Sequence, residues 1–225
     1  MKLESYFTTL GSLEEQKRLD IISNNIANSN SPGFKKDSVH FSDVLGEVSY
    51  TSMSQGPIHE TGNNLDIALS GDGFLSVQTD QGILYTRAGN LTLNSTKQLV
   101  TQDGWPVLGR NAPITIANPA TFRIGEDGQI FDGNDQVSSL DIVQFPQGTG
   151  VQKAENGYFE PQTAGVQPEK AANCTVRQGA LEGPNFNLVE EMARMVQTMR
   201  DYESYQKTMQ DSGSLDSELI AKTSG

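Results

Sequence analysis

Cysteine and histidine are nearly missing from this chain of 225 residues, which has one cysteine, Cys174, and two histidines. A single cysteine excludes a disulfide within the chain and a zinc site built from several thiolates, and we predict a buried, unreactive thiol. His40 and His59 are well separated in the sequence, with no third metal ligand nearby, so we predict isolated surface side chains. No metal or cofactor is expected.

Positive charge is also scarce, because 16 Lys and Arg stand against 28 Asp and Glu, a formal net charge of −12. This excess repels phosphate groups, so neither nucleic acid nor an anionic membrane surface is expected as a partner. The chain has no apolar run of about 18 residues, and its amino end lacks the apolar segment of a cleavable signal peptide. We therefore expect no membrane insertion, and either a cytoplasmic protein or export by a route without a cleaved signal.

Catalytic motifs are missing as well. There is no Walker loop and no Gly-x-Gly-x-x-Gly. The acidic turns at Asp127, Asp132 and Asp135 do not have the spacing of an EF-hand loop, and ordinary hairpin turns explain them. Ser204 to Lys207 matches the S-x-x-K motif of some acylases, but the companion motifs are absent and the match lies in a predicted helix. We therefore do not expect an enzyme.

What the chain does contain is a long amphipathic stretch from Asn187 to Gln210. Steps of three and four residues connect Leu188, Met192, Met195, Met199, Tyr202, Gln206 and Met209. All but Gln206 can bury apolar surface, with the 3.5-residue period of a coiled coil. Asn187 is a good N-cap, and Glu190 completes a capping box. Leaving this seam in water would forgo on the order of 10 kcal/mol, so the helix is predicted to need a partner helix.

The candidate partner lies at the amino end, where residues 2–28 are predicted to form a helix that ends before Pro32 and Gly33. One stripe of this helix consists of Leu3, Phe7, Leu10, Ile21, Asn24 and Asn28. A second stripe, on nearly the opposite face, consists of Leu19, Ile22 and Ile26. A helix with two apolar sides usually contacts two neighbours. Two arrangements remain open: a two-helix hairpin within one chain, or a bundle formed by the terminal helices of several copies.

Between the helices the sequence changes character at about residue 62. Residues 29–62 are mostly polar with irregularly spaced apolar residues, which predicts an extended connector. Residues 63–183 show short apolar alternations separated by turn residues, which predicts a mostly antiparallel β domain. Residues 212–225 are predicted to be a loose tail. The predicted fold is α+β: terminal helices at 1–28 and 184–211 form a coiled-coil-like pair or bundle, with the connector and β domain between them.

Three groups of residues resemble a known family, the axial proteins of the bacterial flagellum, and among them the proximal rod proteins. Asn24-Asn25-Ile26-Ala27-Asn28 followed by Ser31-Pro32-Gly33-Phe34-Lys35 is similar to the signature that closes the family's first helix. The runs LDIALSGDGFLSVQT, YTRAGNLTL and QLVTQDGWPVLG resemble the start of the family's β domain. GALEGPNFNLVEE resembles the approach to its last helix. The short connector is typical of the F-type proximal rod proteins, whereas the G-type distal rod proteins usually carry a longer insertion there.

The resemblance implies a structural subunit that is exported unfolded through the flagellar type III apparatus. It would polymerise in the periplasm, with its own copies and with other axial proteins, into the basal-body rod that transmits torque. The expected assembly interface comprises Leu3, Phe7, Leu10, Ile21, Ile22, Asn24, Asn25, Ile26, Asn28, Gly33, Phe34, Leu188, Met192, Met195, Met199, Tyr202 and Met209. The alternatives are a distal rod or hook-related subunit, a secreted β-rich binding module with a helical stalk, and an enzyme with an unrecognised site.

Asn24 and Asn28 interrupt the first apolar stripe of the N-terminal helix. A polar residue on such a stripe costs stability but fixes register, because its amide must find a hydrogen-bond partner. These asparagines either set the axial stagger between neighbouring subunits or cap the end of their own helix. The sequence leaves both possibilities open.

Overall fold

The computed structural model describes residues 2–42, 46–110, 112–119, 121–146, 149–163 and 165–223. Helix α1 spans Lys2–Ala27 and helix α2 spans Leu188–Thr223. The chain divides into two units: unit 1 consists of Met1–Asn28, Asp37–Ser49 and Phe186–Gly225, and unit 2 of Ser29–Lys36 and Tyr50–Asn185. Two terminal helices and a mostly antiparallel β region confirm the predicted α+β class.

Unit 1 contains the two helices, which pack against each other, and strand β1 (Asp37–Ser42), which packs on α1. Helix α2 begins where the sequence predicts, because the Asn187 side chain accepts a hydrogen bond from the Val189 N–H at 2.9 Å. Glu190 pairs with Arg194 one turn further on. The N-cap therefore comes from Asn187, and the Glu190 side chain supports the first turns of the helix through an i,i+4 ion pair.

The carboxyl end of α2 differs from the prediction. A loose tail was expected from residue 212, whereas α2 continues to Thr223. The stretch Asp211-Ser212-Gly213 contains no proline, and one glycine inside a helix costs only about 1 kcal/mol relative to alanine. That cost is too small to end a helix that is already propagating.

The connector predicted as extended also contains regular structure. Strand β1 pairs with β2 (Gly46–Thr51), and β3 (Ile58–Glu60) pairs antiparallel with the strand Ala180–Glu182. The signal that reasoning from sequence missed is a short alternation, with apolar residues at every second position in Val39-His40-Phe41 and Val48-Ser49-Tyr50. Two such short stretches gave too little pattern to identify a hairpin.

The remaining strands belong to unit 2. They are β4 (Ile67–Ser70), β5 (Phe74–Thr79), β6 (Gly82–Thr86), β7 (Thr92–Leu93), β8 (Leu99–Val100), β9 (Phe122–Ile124), β10 (Gln129–Asp132), β11 (Asp135–Ser139), β12 (Ile142–Gln144), β13 (Val151–Lys153), β14 (Phe159–Pro161), β15 (Glu169–Lys170), β16 (Thr175–Gln178) and β17 (Ala180–Glu182). A short 3-10 helix spans Glu155–Gly157. The largest sheet has the order β13-β14-β6-β5-β12-β15, and a second has the order β11-β10-β9. Strand pairs β16-β4, β17-β3 and β7-β8 complete the unit.

The core of unit 2 lies on both sides of β5. Leu75 belongs to the larger apolar cluster, with residues such as Leu99 and Ile130, while the adjacent Phe74 belongs to a second cluster with Tyr85 and Phe159. Successive side chains of a strand point to opposite faces, so β5 is covered on both faces. This explains why Phe74-Leu75-Ser76-Val77 is buried throughout rather than at alternate positions. No helix in the described ranges is long and apolar enough to cross a membrane.

Candidate assembly interface on the terminal helices

The buried side of the helix pair is polar. Its buried side chains include Ser12, Glu15 and Asn25 on α1, and Glu191 and Thr198 on α2. Among the described side chains of the two helices, no large apolar one is buried. The sequence left open whether the apolar seam faces this contact or the helices of neighbouring copies. The signal that sequence reasoning missed is the pair of small residues Gly11 and Ser12 on α1, which leaves room for side chains of α2.

Close approach is visible at Gly11 of α1. A Cβ atom at this position would lie 2.7 Å from Cε1 of Tyr205 on α2. One residue further on, Gln206 Nε2 lies 3.5 Å from Ser12 Oγ and also donates to the Tyr202 hydroxyl at 3.0 Å. The antiparallel contact between α1 and α2 therefore consists partly of hydrogen bonds and partly of the Tyr205 ring, which packs where Gly11 has no side chain.

Glu15 is the charged residue at the centre of this contact. Its Oε1 accepts a hydrogen bond from Arg18 at 2.7 Å, while its Oε2 is buried without a partner among the described residues. Burial raises the pKa of Glu15, the Arg18 guanidinium opposes that rise, and the negative charges of Asp201 and Glu14 add to it. The helix pair thus contains a carboxylate that its own surroundings do not fully compensate.

The structure divides the predicted α2 seam into two rows. Leu188, Met195, Tyr202 and Met209, seven positions apart, are half-buried. Met192 and Met199 are 48% and 45% exposed, and Val189 and Val196, which were not part of the predicted seam, are 74% and 51% exposed. We call Val189, Met192, Val196 and Met199 the exposed α2 stripe; their spacing of three, four and three residues places them on one helix face.

Helix α1 also exposes apolar surface near its start. Tyr6, Phe7 and Leu13 are exposed, and the rings of Tyr6 and Phe7 meet edge-on with centroids 6.0 Å apart. Four other predicted interface residues, Leu10, Ile21, Ile22 and Ile26, are half-buried. Leu3 lies in α1, but its side chain is outside the described residues. Large apolar groups therefore face water on both helices of unit 1.

The asparagines at the end of α1 have separate roles. Asn25 is buried, donates from Nδ2 to the Asp37 carbonyl at 2.9 Å and accepts the Asp37 N–H at 3.0 Å. Asn28 donates from Nδ2 to the Asn24 carbonyl at 2.9 Å, which satisfies a carbonyl at the helix end, while Asn24 itself is exposed. Asn25 is thus occupied within its own chain, and the cap role suits Asn28. A register role for Asn24 stays a prediction.

The last two predicted interface residues, Gly33 and Phe34, lie in unit 2. The Gly33 N–H donates to the Glu182 carbonyl at 2.7 Å. Phe34 is half-buried, with the Lys153 ammonium 4.0 Å from its ring centroid, a cation–π contact. The structure therefore places these two residues in contact with the β region of unit 2.

Unit 2 contains a polar cleft that is lined by charged side chains and by the single cysteine. It has a volume of about 370 Å³, and its lining includes Arg110, Asp127, Asp141, Lys170 and Cys174. Burial raises the pKa of the half-buried Cys174 thiol, so its reactive thiolate form is scarce. Within the described ranges, no three His, Cys, Asp or Glu side chains are grouped as metal ligands.

Comparison with protein families gives three matches along the chain. Residues 14–35 match the family described as "Flagella basal body rod protein". Residues 68–131 match the "Flagellar hook protein FlgE/F/G D1 domain", and residues 177–221 match the "Flagellar basal body rod FlgEFG protein C-terminal" family. The matches thus include the end of α1, the core strands of unit 2 and most of α2.

Individual relatives are similar over nearly the whole chain. Flagellar basal-body rod protein FlgF of Rhizobium meliloti is 34% identical over 234 residues, covering 96% of this chain and 96% of the relative. FlgG of Bacillus subtilis is 32% identical over 259 residues, covering 97% and 98%. FlgF of Salmonella typhimurium is 30% identical over 232 residues, covering 90% and 91%. These relatives are named as rod proteins and not as enzymes.

Proposed function

Since this chain belongs to the family of flagellar basal-body rod proteins and is a structural rod subunit resembling FlgF, we propose that it polymerises through its terminal helices. The surfaces used are the exposed α2 stripe and the half-buried row of Leu188, Met195, Tyr202 and Met209 beside it. In the rod these surfaces contact helices of neighbouring axial subunits in coiled-coil fashion. The subunit reaches the periplasm through the flagellar export apparatus, and the assembled shaft transmits torque.

The observation that carries this proposal is that the fully buried side chains described on the two helices are polar, whereas the exposed α2 stripe is apolar. Fully burying a Val or Met side chain is worth about 1.5–3 kcal/mol. The four residues of the exposed α2 stripe are roughly half exposed, so covering them with a neighbour gains on the order of 4 kcal/mol per subunit. A single copy does not cover these residues, and a polymer supplies the cover.

A charge placed on the stripe tests the proposal. Val196→Asp leaves the contacts between α1 and α2 intact, because Val196 is exposed, but it puts a carboxylate where a neighbouring helix must dock. Ile83→Asp is the matched control, since Ile83 is equally exposed but lies on β6 of unit 2. Both variants are expressed in cells that lack the native protein, and basal bodies are isolated and examined by electron microscopy.

We expect Val196→Asp to be folded, by far-UV circular dichroism of the purified subunit, but to give no rods and no motility. Ile83→Asp should give normal rods. Normal rods and normal swimming with Val196→Asp would overturn the proposed interface. A secreted binding module would behave differently, because Val196→Asp lies outside the β region and would leave its ligand binding unchanged.

A further inference from the structure

Unit 2 encloses three charged side chains that take no part in the proposed assembly surface. The side chains of Lys35, Arg87 and Glu182 are 1%, 3% and 0% exposed. Lys35 Nζ lies 2.7 Å from Glu182 Oε1, and Arg87 Nη1 lies 3.3 Å from Glu182 Oε2. Burying an ion costs several kcal/mol, which is recovered only with good geometry and further hydrogen bonds. We call these residues the Glu182 cluster.

Backbone groups complete the coordination of the Glu182 cluster. Lys35 Nζ donates to the Ser54 carbonyl at 2.7 Å, and the Gly56 N–H donates to Glu182 Oε1 at 2.8 Å. Glu182 Oε1 therefore accepts two hydrogen bonds, from an ammonium and from an amide. The cluster joins strand β17 to two stretches far away in sequence, since Lys35 and Glu182 are separated by 147 positions.

The charges of the cluster do not balance, because two cations share one buried carboxylate. Burial lowers the pKa of Lys35 below its ordinary value, although the hydrogen bond and charge of Glu182 and the charge of Asp72 raise it, and the charge of Arg87 lowers it further. The Nε of Arg87 is buried without a partner among the described residues. Glu182 is therefore the group on which the cluster depends. Removing it leaves two buried like charges, whereas removing Lys35 leaves a balanced pair.

The cluster lies where the chain enters and leaves unit 2. Besides the bond from Gly33 N–H to the Glu182 carbonyl, the Lys36 N–H donates to Asn185 Oδ1 at 2.8 Å, and the Asn185 N–H donates to the Phe34 carbonyl at 3.3 Å. The segment after α1 and the segment before α2 are therefore bonded to each other within unit 2.

We propose that Glu182 is a charge-dependent lock: its carboxylate holds residues 33–36 against unit 2, and without it Lys35 and Arg87 repel each other and release this segment. The apolar core of unit 2 does not include Lys35 and remains folded. In the rod, the lock keeps the segments that enter and leave unit 2 fixed to that unit while the shaft carries torque. Only this mechanical role rests on the proposed function.

Hydrogen exchange measured by mass spectrometry on the purified full-length chain tests the lock. Four variants are compared with the unsubstituted protein: Glu182→Gln, Lys35→Met, the double variant with both changes, and Glu60→Gln. Glu60 is the matched control, because its pair with Arg177 spans 3.8 Å and is exposed. The peptide over residues 29–36 reports the lock, and the peptide over β4 and β5 reports the core.

In Glu182→Gln, protection of residues 29–36 should fall at least about tenfold while β4 and β5 keep theirs. Lys35→Met should lose less than about threefold, and the double variant should regain protection relative to Glu182→Gln alone, because one of two repelling cations is gone. Glu60→Gln should match the unsubstituted protein. If Glu182→Gln does not fold, recovery of a folded unit 2 in the double variant supports the lock, and failure to recover overturns it.

The proposal is overturned if Glu182→Gln changes the protection of residues 29–36 by less than about twofold, if Lys35→Met costs as much as Glu182→Gln, or if protection falls equally in β4 and β5. Swimming in viscous medium tests the mechanical role separately. We expect Glu182→Gln cells to assemble rods that fail under load. Full swimming of Glu182→Gln cells together with a released segment would refute the torque-bearing role but not the lock itself. The presence or absence of rods in Val196→Asp cells bears only on the proposed function.

Discussion

The glycine that follows α1 offers a test of how tightly the chain is fitted into unit 2. Gly33 has φ +68°, in the left-handed region, and a Cβ placed there would lie 2.3 Å from the Arg87 carbonyl carbon and 2.6 Å from the Ala88 nitrogen. These are backbone atoms, so they cannot move aside as a flexible side chain can. We predict that Gly33→Ala is severely destabilising.

A second glycine separates the two contributions to this cost, which are the strain of the left-handed backbone and the overlap with the backbone of Arg87 and Ala88. Gly62 has φ +74°, and a Cβ added there would have no atom within 4 Å, so Gly62→Ala meets only the left-handed strain of about 1–2 kcal/mol. Gly33→Ala adds an overlap that forces the backbone apart and disrupts the bond to Glu182, so we expect about 3 kcal/mol or more in total.

The single tryptophan makes the measurement direct. Trp105 lies in unit 2 and is half-buried, so its fluorescence reports urea unfolding of this unit. The free energy of unfolding should fall for both variants, and by about 2 kcal/mol more for Gly33→Ala than for Gly62→Ala. Equal losses, within about 0.5 kcal/mol, would show that the close approach of Gly33 to Arg87 has no energetic importance.

Three further substitutions have predicted outcomes. As the pH falls from about 7 through the raised pKa of Glu15 toward 4.5, only folded unit 1 gains a proton, so its thermal stability by circular dichroism should rise, and Glu15→Gln should abolish the rise. Burial raises the pKa of Tyr158 to about 12, so between pH 10 and 12 unit 2 should lose on the order of 2 kcal/mol through this group, and urea unfolding of Tyr158→Phe should show a correspondingly smaller loss. Asn187→Ala should cost about 1 kcal/mol of helix stability through its lost cap, and an unchanged melting curve would contradict this.

Local sequence patterns were sufficient to predict the elements that depend mainly on interactions between residues close in sequence. The N-cap at Asn187 was read from residue type alone, and the strands around Phe74 and Leu75 followed from short apolar stretches between turns. The pairing of β1 and β2 was missed because each strand offered only two alternating apolar residues. The end of α2 was missed because glycine is a weak signal against a helix when no proline accompanies it.

The candidate interface was predicted in part, and the reason lies in what periodicity can report. A period of 3.5 residues identified Met192, Met195 and Met199 as one seam, but it cannot tell which edge of that seam faces the partner helix of the same chain. Val196 was missed because the exposed α2 stripe shares Met192 and Met199 with the predicted seam but has Val189 and Val196 in place of Leu188 and Met195. The Glu182 cluster has no local pattern at all, since only folding brings Lys35 to Glu182.

The two units of the chain distribute polar and apolar groups in opposite ways. Unit 2 buries an apolar core that includes Leu75 and Ile130, whereas unit 1 buries Glu15 and Asn25 and leaves Val189 and Met192 exposed to water. The half-buried row of Leu188, Met195, Tyr202 and Met209 supplies part of the hydrophobic free energy of the free subunit, and the exposed groups add to it only when a neighbour covers them. Unit 1 should therefore be more stable in the rod than in the free subunit, because a partner that binds only the folded state stabilises that state by mass action.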